Sequence, residues 1–122
     1  MPFTYLASPY SHPDEKVRHA RYLGVCELAR ELIQNNITPY SPIMHFHHFK
    51  PPANMSYDAK SWERVNFDML ASASWMIVCG ISGWEESIGV KGEIDFCRRF
   101  NLPISIATFD PGTGTWTIKS FL

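Results

Sequence analysis

The chain has almost no excess of either charge: 11 Lys and Arg stand against 12 Asp and Glu, a formal net charge of -1 over 122 residues. That balance leaves no basic footprint for a nucleic-acid backbone, so a polymeric nucleic acid is not an expected partner. An anionic ligand would have to be held by local groups. Paired cysteines are lacking too. Cys26, Cys79 and Cys97 are odd in number, and no two have CxxC spacing. Set among apolar neighbours, they read as buried free thiols of a reducing compartment. No apolar run approaches the roughly 20 residues that span a bilayer, and the amino-terminal residues lack the basic and long apolar regions of a signal peptide. Neither a membrane nor export is expected, and the predicted location is cytoplasmic. There is no internal repeat and no low-complexity segment.

What is present is the composition of an ordinary globular protein, with 45% hydrophobic and 19% charged residues. A chain of 122 residues makes one domain, read here as 1–122. The 14% aromatic content leaves apolar surface for a second copy. A homodimer or homotetramer is expected, with the His/Phe/Pro-rich loop Met44 to Ala53 approaching a neighbour's site.

Periodicity gives the order of elements. Phe3 to Ala7 is a short, mostly apolar run that stops at Ser8-Pro9, as a buried first strand would. A helical pattern from about Asp14 to Asn35 puts Val25, Leu28, Ala29, Leu32 and Ile33 on one face. Ile37 to Tyr40 suits a second short strand, and Met44 to Tyr57 a long irregular loop. Ser61 to Ser72 reads as a helix with Trp62, Val65, Met69 and Leu70 at core spacings. Trp75 to Cys79 is the most hydrophobic run and the expected central strand. A helix from Ser87 to Asn101, a strand over Leu102 to Ala107 and an edge or fifth strand in TWTIKSF complete the chain. Alternating strands and helices predict an α/β fold: a three-layer αβα sandwich on a mainly parallel, flavodoxin-like or Rossmann-like sheet of four to five strands. Ligands of such sheets sit at the carboxyl ends of the strands. The loops there are Ser8 to Asp14, Ser41 to Tyr57 and Gly80 to Gly89.

Those loops hold the chemistry-bearing residues. In the run Gly83 to Glu93, Ser87 suits an N-cap, and the unpaired amides after it suit an anion. Gly89 and Glu93, four residues apart, share a helix face, and the missing side chain at Gly89 opens Glu93 to a ligand. The first loop offers Ser8, Tyr10 and Ser11, with Arg18 and Arg21 one turn apart downstream and able to face a phosphate or sugar hydroxyls. Asp68 lies near the end of the helix before the central strand, where a carboxylate facing Glu93 would be tuned as a proton donor. His45, His47 and His48 have no evident fourth ligand, so that loop reads as a contact to a base or a neighbouring subunit rather than a metal site. Each piece also has a plain structural reading, as a cap, a packing contact or a solvated charge.

In combination these pieces resemble the nucleoside 2-deoxyribosyltransferases and the related 2'-deoxynucleoside 5'-monophosphate N-hydrolases. The carriers are Tyr5-Leu6-Ala7-Ser8-Pro9, Asp68, the element Ser87-x-Gly89-x-x-x-Glu93 and the strand Leu102-Pro103-Ile104, over about residues 4 to 106. The Gly-Trp-x-x-Ser-x-Gly form looks like a branch whose members are often labelled domains of unknown function. By position, the resemblance implies a nucleophilic Glu93, a proton-handling Asp68, and a 5'-phosphate held by Ser87 and the Gly89 amide. Ser8 and Tyr10 fall where the family contacts sugar or phosphate, and Arg21, Trp84 and His45 complete the expected substrate contacts. The chain has Ser74-Trp75 where the family often has an aspartate, and its first loop is not glycine-rich, so base and phosphate state stay open.

The expected function is therefore cleavage or transfer of the N-glycosidic bond of a 2'-deoxynucleoside or its 5'-monophosphate through a glutamyl-deoxyribosyl intermediate. No metal or organic cofactor is expected. A second class stays open: a nucleotide-binding sensor of the same fold, with Glu93 holding a sugar hydroxyl and no turnover.

Overall fold

The computed structural model describes residues 2–49 and 59–121, apart from the side chains of 59–61. The described elements are β1 (Thr4–Ala7), α1 (Glu15–Gln34), β2 (Pro39–Tyr40), α2 (Pro42–Phe46), α3 (Ala59–Ala71), β3 (Trp75–Cys79), a single 3-10 turn (Trp84–Glu86), α4 (Ile88–Arg99), β4 (Ile104–Asp110) and β5 (Thr115–Ser120). The five strands form one sheet in the order β2-β1-β3-β4-β5, with β3 in the middle as its apolar run predicts. Four are parallel, and β5 returns antiparallel along β4, so the sheet is mixed.

Strand alternation divides the core in two. Tyr5, Ala7, Met76, Val78 and Ile104 point to one face, against Leu70 of α3 and Val90, Ile94 and Cys97 of α4. Leu6, Ile77, Cys79 and Ala107 point to the other, against Val25, Leu28, Ala29 and Leu32 of α1. Helices therefore cover both faces, a mixed α/β arrangement consistent with three layers. Burying each large aliphatic side chain contributes about 1.5–3 kcal/mol.

Several boundaries differ from expectation for local reasons. Ile33, placed on the inner face of α1 by its spacing, is 60% exposed, because it lies one position past Leu32 as the helix turns away. The stretch after β2 is not irregular from Met44. Ser41 caps a short helix by accepting from the Met44 amide at 3.1 Å, and Pro42 fits its first position. From residue 50 onward the expected loop Met44 to Tyr57, and with it the end of the expected subunit contact Met44 to Ala53, lies outside the described residues. Ser87 does cap α4, its Oγ accepting from the Val90 amide at 3.2 Å. No helix among the described residues is long and apolar enough to cross a membrane.

Candidate functional site

Parallel strands bring β1 and β3 side by side, and the segments after them frame a cavity of about 660 Å3. Its walls come from the three segments at the carboxyl ends of the strands, joined by α3. That volume falls in the usual range of small-molecule sites, roughly 300–1,000 Å3.

Glu93 is the buried carboxylate of this cavity, 6% exposed on the second turn of α4. Tyr5 of β1 donates its hydroxyl to Glu93 Oε2. Burial pushes the Glu93 carboxyl up to about 7, and the Tyr5 hydrogen bond opposes that rise by favouring the charged form. The phenol of Tyr5 is itself held well above its ordinary value, by burial first and by the Glu93 charge second, so it stays a donor. Cys97, one turn beyond Glu93, is pushed up to about 12 by burial and by the same charge, and burial alone does as much to Cys79. Neither thiol is activated.

Two further polar atoms point to a ligand. Ser8 Oγ and Asn66 Oδ1 are buried without a hydrogen-bond partner among the described residues, and both residues line the cavity. Buried polar groups are normally satisfied, so orphans in a cavity wall are positions where a ligand's donors and acceptors fit. In the same lining Phe46 and Trp62 meet with ring centroids 4.8 Å apart, an aromatic wall suited to a planar group.

Arg21 reaches the cavity from α1. Its guanidinium donates to the Ser11 carbonyl at 3.1 Å and lies against Gly83, where a Cβ would collide with it. Gly83 also has φ +94°, so glycine is needed there both for the backbone and for the arginine. Arg21 and Ser87 both line this end of the cavity, next to the amides that open α4.

The structure thus brings together Glu93, Ser8, Tyr10, Arg21, Ser87 and Gly89. It leaves out three expected members. Asp68 is turned to solvent, its side chain 72% exposed and 3.7 Å from Arg64 one turn earlier, so it does not face Glu93. Trp84 packs on the core beside Phe121 instead of lining the cavity. His45 is exposed and touches Tyr40 and Phe46 from outside. Sequence reasoning drew attention to Tyr5 in the first-strand run and to Asn66 beside Asp68 but gave neither a role in the site, and it placed Trp62 in the core; the i, i+4 spacing of Trp62 and Asn66 on α3 was the available signal. His47 lines the cavity where His45 was expected. Among the described residues, no three His, Cys, Asp or Glu side chains are arranged to hold a metal ion.

Residues 2–108 match the family described as Domain of unknown function (DUF1937). The chain belongs to the DUF1937 family. Its matched stretch contains every cavity residue named above, so the site lies wholly within the DUF1937 domain. No curated protein sequence matches the chain.

Proposed function

We propose that this DUF1937 protein cleaves or exchanges the N-glycosidic bond of a 2'-deoxynucleoside or its 5'-monophosphate, with Glu93 as nucleophile. The observation that carries the reading is the Glu93 carboxylate, buried in a ligand-sized cavity, where its partner among the described residues is a phenol and not a cation. A buried carboxylate with no basic partner is costly, by several kcal/mol. It suits a site whose ligand develops positive charge, as the anomeric carbon does when a glycosidic bond breaks.

In this mechanism a Glu93 oxygen attacks C1', the C1'–N bond breaks, and its electron pair leaves with the base. The result is a deoxyribosyl ester on Glu93. Water then attacks C1', the ester bond breaks, and the carboxylate is restored. A second base in place of water gives transfer. The strand order fits a doubly wound, flavodoxin-like sheet with its ligand at the carboxyl edge. Phe46 and Trp62 suit the base, Ser8 suits a sugar hydroxyl, and Arg21 with Ser87 suits a 5'-phosphate.

The test is direct. Incubation with a panel of deoxynucleosides and their monophosphates should release free base, followed by chromatography. Mass spectrometry with a slow substrate should find the deoxyribosyl adduct on Glu93. The ratio kcat/KM should climb with pH and level off above about 7, as the carboxylate forms. Tight binding of these ligands without base release would instead identify a sensor.

A further inference from the structure

The glycosidic reading needs a proton for the departing base, and Asp68 faces away from the cavity. A different set of groups reaches from the cavity toward solvent. His47 caps the carboxyl end of α2 and lines the cavity together with Tyr10. Its Nδ1 lies 2.7 Å from the Tyr10 hydroxyl, and its Nε2 lies 3.3 Å from Nδ1 of His19 on α1. Tyr22 stacks flat against the His47 ring, centroids 4.1 Å apart at 12°, which fixes the plane of the imidazole. Tyr10 and His47 also line a second hollow of about 170 Å3, whose other walls are Glu15, Arg18, His19 and His48. These two side chains therefore form a partition between the cavity and an outer hollow.

The bonding of His47 has two arrangements. In one, Nδ1 accepts from the Tyr10 hydroxyl and Nε2–H donates to His19. In the other, His19 donates to Nε2, Nδ1–H donates to the Tyr10 oxygen, and the Tyr10 proton is directed into the cavity. Passing from the second to the first by successive hops moves one proton inward along the row, and the reverse passage moves one outward. The groups around His47 favour the neutral ring that such a relay requires. Burial lowers its pKa first, followed by His48, His19 and Arg18, with Glu15 opposing them.

We propose that Tyr10, His47 and His19 form a proton wire between the cavity and solvent, and that Tyr10 hands the departing base its proton. This inference rests on the glycosidic reading and names the acid that reading lacks. As C1'–N breaks, the base nitrogen takes the Tyr10 proton, Tyr10 is reprotonated from His47 Nδ1, and His47 Nε2 takes a proton from His19. His19 recovers one from solvent. In the second half the wire runs backwards, carrying away the proton of the attacking water. Tyr10 is then a catalytic residue, and His47 and His19 act through it.

The experiment compares two substrates on the full chain: a natural deoxynucleoside or monophosphate, and 4-nitrophenyl 2-deoxyriboside, whose leaving group departs without a proton. Tyr10→Phe should slow natural base release by about a hundredfold or more, the usual range for a general acid. It should leave nitrophenol release within about threefold, with the Glu93 adduct still forming. His47→Gln should show the same split, and it serves as the second variant if Tyr10→Phe fails to fold. His19→Phe, which keeps an aromatic ring against Tyr22, should alter the pH profile for the natural substrate alone. Equal losses on both substrates, or no loss on the natural one, would overturn the wire while leaving the glycosidic reading intact. A wild-type chain that releases neither base nor nitrophenol overturns both.

Discussion

Helix α4 turns Glu93 inward to the cavity, whereas α3 turns Asp68 outward to solvent, where it meets Arg64. Both carboxylates sit on helices next to β3 in the chain, and both were expected from the sequence to carry chemistry. Their environments are opposite. Glu93 is buried, with the Tyr5 hydroxyl as its hydrogen-bond partner among the described residues, and burial raises its pKa to about 7. Asp68 keeps its water and forms an exposed ion pair of the kind that contributes little. The difference is one of helical phase. Asn66, two positions earlier and so about 200° around the helix, takes the inward place instead. A carboxylate acquires unusual properties from the face it occupies, not from its rank in a motif.

The contrast breaks most visibly at Glu93. Glu93→Ala should reduce base release by roughly a thousandfold or more, and Glu93→Gln nearly as far, in single-turnover assays. If either retains turnover, the two carboxylates are equivalent and the proposed nucleophile is wrong.

The next effect is on stability. The folded pKa of Glu93, about 7, lies above that of an unfolded glutamate, so between about pH 4.5 and 7 the folded state binds the extra proton. Stability is therefore lost as pH rises through that window, and the loss is complete above it. Glu93→Gln cannot ionise and escapes the loss. It should match the wild type near pH 4.5 and exceed it at pH 8 by up to about 3 kcal/mol in urea titrations.

Gly83→Ala sharpens the comparison from the anion end. The new Cβ displaces the Arg21 guanidinium and strains a backbone at φ +94°. Losing one charge-assisted contact of about 1.5–3 kcal/mol should weaken monophosphate binding roughly tenfold or more. Deoxynucleosides lacking the phosphate should bind nearly as before. Calorimetry on the Glu93→Gln background, where the ligand is not consumed, reads both. The smallest effect belongs to Asp68→Asn: stability within about 0.5 kcal/mol of wild type, and base release unchanged. A large loss there would show that α3 presents its acid to the substrate after all.

The comparison also separates what was legible from what was not. Trp75 to Cys79 reads as the central strand because it is the most hydrophobic run in the chain, as a strand covered on both faces must be. Ser87, Gly89 and Glu93 read as one face because capping and the four-residue spacing are local properties of the chain. Tyr5 was legible as core but not as the donor to Glu93, since the two are separated by 88 positions. His47 could not be told from His45 without the phase of the short helix that carries them.

By itself, then, the sequence determined the order of the strands and of the three long helices, the middle strand, the cap of α4 and the candidacy of Glu93. Each of these follows from contacts within a few residues or from a burial pattern repeated along the chain. Only the tertiary structure decided which groups share the cavity: Tyr5 against Glu93, Arg21 against Gly83, Asn66 inside with Asp68 outside, and Tyr10 against His47. Those pairings depend on how helices are rotated against a sheet, and that rotation is fixed by packing between segments far apart in the chain.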